Sequence, residues 1–171
     1  MAGLSYPPAP DFSWVQGNIF RFELNGPYAI LVPGGAKHRP AKRWPIDHYK
    51  KLAWHLNKVG LKPIVIGTAE EAKLGDQIIK DLNKGFNLAG HTSLEDLFLL
   101  AKGATYVIGN DTGPMHLFSV QGCPSVVLYS HASDPTICAQ RGSNVTILQR
   151  ANLETLSVNE VLRVLGDFQL P

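Results

Sequence analysis

GNDTGPMH, residues 109–116, interrupts two apolar runs. TYVI before it reads as a buried strand, and LFSVQGCPSVVLY after it reads as the rest of a helix, a turn and a second strand. A plain connector does not need an acid, a hydroxyl, a glycine, a proline and a first-turn histidine in so few residues. Asp111 or Thr112 can cap the helix by accepting a backbone N–H. Pro114 suits the first helical position, where no amide hydrogen is required. Gly113 lets a ligand approach the backbone closely. Free amides and the positive end of the helix dipole then form an anion site suited to phosphate. The same dipole disfavours protonation of His116, which is expected to act as a neutral hydrogen-bonding imidazole. The plainer alternative is a capped helix with a buried histidine.

Working outward, apolar strand candidates recur at 28–32 (YAILV), 63–67 (PIVIG), 86–90 (FNLAG), 105–109 (TYVIG), 125–129 (SVVLY) and 144–148 (NVTIL). Helical patterns fall at 46–59, 70–83, 93–102, 113–121 and 157–165, with a short turn near 135–140. Strands apolar along their length and separated by helices imply a Rossmann-like α/β fold, a parallel sheet with helices on both faces. Ser93 followed by Asp96 resembles a capping box. Asp47 or Pro45 can open the first helix, and Gly60 is placed to end it. In the strand order 3-2-1-4-5-6, strands one and four are neighbours where the order reverses, and ligands bind beyond their carboxyl ends. The loops that follow those two strands, PGGAKHRPAKRWP (33–45) and NDTGPMH, are the most polar in the chain.

The first of these loops frees the backbone at Gly34 and Gly35 and then gathers Lys37, His38, Arg39, Lys42 and Arg43. Expelling a nucleoside diphosphate builds negative charge on the leaving phosphate, and such cations stabilise it. Competing readings are a solvated basic loop and a nucleic-acid patch. In GTAEEAK (67–73), Glu70 or Glu71 can accept from ribose hydroxyls, or both can be ordinary first-turn acids. LAGHTSLEDL (88–97) can line a base pocket, with His91 a turn residue. No GxxxxGK[ST] and no GxGxxG follows a strand, so neither a P-loop ATPase nor a standard dinucleotide fold is supported. No clustered carboxylates mark a divalent-metal site, and no cofactor motif occurs. Phosphate chemistry would therefore be metal-independent.

The bulk numbers fit one globular domain: 171 residues, 44% hydrophobic, 18% charged, net charge +2. So small a charge names no partner by itself. Cys123 and Cys138 form no CxxC and no metal-ligand spacing, which suits a reduced, cytoplasmic setting. The N-terminus lacks the basic-then-apolar pattern of a secretory signal, and no run of about 18 apolar residues occurs. Residues 1–27 read as a linker or N-terminal arm, and its aromatics Tyr6, Phe12, Trp14, Phe20 and Phe22 suggest that it packs on something. Residues 28–171 form the domain proper.

Taken together, PGG…KRWP, GTAEE, NLAGHTSLEDL and GNDTGPMHL…GCPSVVLYSHASDP resemble the C-terminal half of the heptosyltransferase family, glycosyltransferase family 9, over residues 28–165. The resemblance implies one half of a GT-B fold, two Rossmann-like domains around a cleft. It implies the donor-binding domain of an inverting glycosyltransferase of lipopolysaccharide core synthesis, with ADP-heptose as the nucleotide-sugar donor. Lys42 corresponds to the basic donor contact. Asp111, Thr112, Gly113 and His116 correspond to the donor-binding turn, and Glu70 or Glu71 to the ribose acid. The family's G-P-T after the next strand is replaced here by Ser130-His131-Ala132-Ser133. The N-terminal domain that binds the lipopolysaccharide core acceptor and supplies the catalytic carboxylate is absent, so the catalytic base is not identified in this chain. The chain is expected to be a piece of a longer enzyme or a natural donor-binding half with little activity alone. No nucleic-acid partner is implied, and peripheral membrane contact would belong to the full enzyme. Two alternatives remain: a non-catalytic nucleotide- or sugar-binding module, and a relative of the nucleotide-sugar epimerases, which share the architecture.

Overall fold

The computed structural model describes residues 11–167. Six parallel strands form one sheet in the order β3-β2-β1-β4-β5-β6. They are β1 (Tyr28–Val32), β2 (Lys62–Val65), β3 (Phe86–Asn87), β4 (Tyr106–Asn110), β5 (Ser125–Tyr129) and β6 (Val145–Gln149). The helices are α1 (Ile46–Lys58), α2 (Ala72–Ile79), α3 (Leu94–Gly103), α4 (Gly113–Val120), the short α5 (Pro135–Cys138) and α6 (Val158–Asp167). This is the expected Rossmann-like arrangement, and each strand lies within a residue or two of its place in the sequence pattern except β3, which was expected at 86–90 and ends at Asn87. The pattern at 70–83 resolves into a 3₁₀ turn, Ala69–Glu71, followed by the shorter α2.

Because strand side chains alternate between faces, β1 feeds two cores at once. Ala29 and Leu31 join Tyr49, Leu52, Ala53 and Leu56 of α1 and Val161 and Leu165 of α6 on one face. Tyr28, Ile30 and Val32 join Leu97 and Leu100 of α3 and Met115 and Phe118 of α4 on the other. Every residue of β1, β4 and β5 is buried, as a sheet covered on both sides requires. Each large apolar side chain so buried contributes about 1.5–3 kcal/mol.

Local signals set the helix ends. Gly60, at φ +88°, ends α1: its N–H donates to Asn57 O, and Leu61 N–H reaches back to Leu56 O at 3.0 Å. Ser93 and Asp96 cap α3 reciprocally, Ser93 Oγ accepting from Asp96 N–H and Asp96 Oδ2 from Ser93 N–H.

The described part of the N-terminal arm is strapped along α3. Phe12 packs on Phe98 with ring centroids 4.4 Å apart, and Arg21 pairs with Asp96 at 2.6 Å. Phe22 lies partly buried against the second core. The expectation of packed aromatics fails for Trp14 and Phe20, which are 68% and 89% exposed. None of the residues of the 3₁₀ turn Ile19–Phe22 is fully buried. Tyr6, the first ten residues of the arm and residues 168–171 lie outside the described residues. Among the described residues no helix is long and apolar enough to cross a membrane.

Candidate functional site

Beyond the carboxyl ends of β1, β2 and β4 lies a crevice of about 720 Å³. Its walls come from the loop after β1 (Gly34, Gly35, Lys37, Lys42, Arg43), from Thr68, Glu70 and Glu71 after β2, and from Asp111, Thr112, Gly113 and Pro114 at the tip of α4. The order reverses between β1 and β4, which pair directly from Ala29↔Tyr106 to Val32↔Gly109. The two polar loops singled out by composition therefore share one cavity.

Asn110, the last residue of β4, explains how they are held together. It is fully buried in an otherwise apolar strand. Its Nδ2 donates to the carbonyls of Pro33 at 2.8 Å and Gly34 at 3.0 Å. Its Oδ1 accepts from Trp44 N–H at 3.0 Å and Tyr49 Oη at 3.1 Å. One side chain thus fixes both ends of the basic loop to the strand that leads into α4.

The expectation that Asp111 or Thr112 caps α4 through its side chain is corrected. Thr112 is the N-cap residue but makes no side-chain cap bond, and Pro114 follows without an N–H. Asp111 turns instead to Lys42, whose Nζ lies 2.7 Å from Oδ2. Ser133 Oγ donates to the same oxygen at 2.7 Å, and Gln140 Nε2 to Oδ1 at 3.0 Å. Burial pushes the Asp111 carboxyl up, but hydrogen bonds from Lys42, Ser133 and Gln140 outweigh it and hold the group below the ordinary carboxylate range. No side chain caps the helix start, so the positive end of the α4 dipole and the Gly113 amide stand at the crevice wall, while Met115 N–H is taken by Thr112 O at 3.1 Å.

Gln140 is itself fixed by its neighbours. Its oxygen accepts from Tyr129 Oη at 2.7 Å, so its nitrogen must serve Asp111. That nitrogen also lies 3.3 Å from His116 Nε2. An amide nitrogen only donates, so this contact is a hydrogen bond when Nε2 carries no proton. His116 is exposed, not buried, and it is not among the residues lining the crevice. Helix α4 places it one step outside the wall that Thr112 and Gly113 form.

The two acids after β2 separate. Glu71 accepts from Thr68 N–H at 2.8 Å, from Thr68 Oγ1 at 3.1 Å and, across the crevice floor, from Gly35 N–H at 3.0 Å. A Cβ on Gly34 or Gly67 would collide with this carboxylate, so the two glycines leave it the space it occupies. Glu70 pairs with Lys37 at 2.7 Å at the exposed mouth, where both side chains are mostly in solvent. Sequence reasoning missed Asn110, Ser133 and Gln140. Asn110 stood inside the quoted motif as the polar end of an apolar strand, whereas Gln140 carries no local signal. No group of three His, Cys, Asp or Glu side chains comes together among the described residues.

A family model described as glycosyltransferase family 9 (heptosyltransferase) matches residues 12–162. Lipopolysaccharide heptosyltransferase 2 of Escherichia coli K12 is 36% identical over 121 residues, 68% of this chain and 34% of that protein. Its counterpart from Salmonella typhimurium LT2 is 36% identical over 104 residues, 58% of this chain and 30% of that protein. The solved structure of E. coli ADP-heptose LPS heptosyltransferase II superposes with a TM-score of 0.79 at 28% identity, covering 86% of this chain and 48% of that one. The chain thus spans about a third of the length of these curated relatives.

Proposed function

The chain belongs to glycosyltransferase family 9, the heptosyltransferases, and from that membership we propose that it is the donor-binding half of a metal-independent, inverting transferase of lipopolysaccharide core synthesis. The donor is a nucleoside diphosphate sugar, ADP-heptose by the name of the related E. coli enzyme. The observation that carries this reading is the convergence of the loop at 33–45 and the uncapped tip of α4 on one crevice.

The chemistry follows from that placement. An acceptor hydroxyl attacks the anomeric carbon, and the bond from that carbon to the phosphate oxygen breaks. The electron pair stays on the departing diphosphate, and the hydroxyl proton passes to a base supplied by the other half of the complete enzyme. The α4 amides and Lys42 stabilise the charge that grows on the leaving group. They are already in place, so no reorganisation is needed as the bond breaks. Asp111 keeps Lys42 at the crevice wall, and of the two acids after β2 we assign the exposed Glu70 to the nucleoside hydroxyls, since Glu71 is engaged by Gly35 and Thr68. A divalent ion is not needed when fixed amides and cations supply this field.

Titration with ADP, UDP and GDP, followed by the amide resonances of Gly109 to His116, tests the reading. ADP is expected to shift these resonances equally with Mg²⁺ and with a chelator present. Shifts that require Mg²⁺, or none with any nucleotide, would overturn it.

A further inference from the structure

The charges lining the crevice nearly cancel. Lys42 is paired with Asp111 and Lys37 with Glu70, while Glu71 is occupied by Gly35 and Thr68. Among the described residues that line the cavity, Arg43 is the one cation without an acid. Its Nη2 donates to Gly35 O at 2.5 Å, and its Nε is buried with no partner. The Thr112 hydroxyl is likewise buried and unpartnered. The two side chains meet at Gly35: a Cβ built there would stand 3.7 Å from Arg43 Nε and 3.8 Å from the Thr112 methyl, Cγ2. An arginine with no acid partner and an unmatched hydroxyl beside it, at an uncapped helix tip, suit a ligand that accepts hydrogen bonds.

Resting on the diphosphate reading above, we propose that Arg43 is a donor-binding residue whose guanidinium clamps a non-bridging oxygen of the nucleotide diphosphate against the Thr112 hydroxyl and the α4 tip. Lys42 shares its charge with Asp111, so a second cation strengthens the field that Lys42 supplies. Arg43 adds a lining cation that no carboxylate pairs directly, which a dianionic or trianionic group can engage. Its guanidinium has donors beyond the one tied to Gly35 O, in a fixed planar geometry that the point charge of a lysine does not reproduce. The tie to Gly35 O keeps the fork turned toward the crevice, and the absent side chain at Gly35 leaves the oxygen space to sit.

The test is calorimetric titration of the chain and its variants with ADP and with adenosine. Arg43→Gln is expected to weaken ADP binding about 10- to 100-fold and adenosine binding less than about twofold, the size of a lost charge-assisted hydrogen bond. Arg43→Lys is expected to recover only part of the ADP affinity, and it serves as the reading should Arg43→Gln fold poorly. An equal loss for ADP and adenosine in both variants would show a merely structural role. Unchanged ADP affinity, or full recovery with lysine, would also overturn the clamp. If the unsubstituted chain binds adenosine and ADP alike, the diphosphate reading itself fails, and that result is visible before any Arg43 variant is measured.

Discussion

Replacing Asn110 with leucine tests the claim that one amide organises the crevice. The side chain is fully buried and makes four hydrogen bonds, two donated and two accepted. Leucine fills a similar volume but leaves the carbonyls of Pro33 and Gly34 and the N–H of Trp44 without this partner. Tyr49 keeps a bond to Val32 O at 3.2 Å, so it is not orphaned. A buried polar group left unmatched costs about 1–3 kcal/mol, and relaxation relieves some of it, so three such groups predict a loss of about 3–5 kcal/mol. That is a large part of the roughly 5–15 kcal/mol that holds a domain together. Urea unfolding measures it from the midpoint at unchanged slope. Asn110→Asp is the control: it keeps an acceptor for Trp44 and Tyr49 but sets an oxygen against two carbonyls, and it should lose at least as much. Hydrogen exchange at Trp44 N–H should quicken in both. A loss below about 1 kcal/mol, with that amide still protected, would refute the reasoning.

Two further predictions concern titratable groups. The Asp111 carboxyl is held below its ordinary value, so its contribution is present above the unfolded pKa of about 3.9 and is lost as pH falls through the folded one. Lys42→Met strands that buried carboxylate, so the variant should be about 3–5 kcal/mol less stable at pH 7. The gap should shrink below about pH 4 as the carboxyl protonates; a gap constant from pH 3 to 7 in urea titrations would sink the assignment. Burial pushes the Cys123 thiol up to about 12. Iodoacetamide at pH 8 should therefore label Cys123 only after denaturant is added, and labelling of the folded chain within minutes, read by peptide mass, would contradict its burial.

The alternation of strands and helices was legible because apolar runs and helical periods are local signals, and the common order of that fold class then supplied the strand order. The shared crevice was legible because the two most polar loops follow strands one and four, and topology alone brings those together. The wiring inside the site was not. Gln140 reaches Asp111 across 29 positions and Ser133 across 22, and no spacing rule marks such partners. The role of Asp111 was misjudged for the same reason: its local option was to cap α4, but Lys42, 69 positions earlier, offers a full charge in a buried setting. The division of labour between Glu70 and Glu71 also depended on a distant atom, the Gly35 amide. The exposed Trp14 and Phe20 show the converse limit, since aromatic composition predicts burial only where a neighbouring surface has room.

The carboxylate of Glu71 sits where two glycines, Gly34 and Gly67, leave it space, and it grips the Gly35 amide while bracing its own helical turn. These positions form an interlocked set from three separate segments of chain. A methyl group at 34 or 67 evicts the acid, and trimming the acid makes the two glycines superfluous. Enlarging either glycine and shortening residue 71 are therefore coupled changes: an alanine at 34 or 67 is tolerated better once the carboxylate has been trimmed.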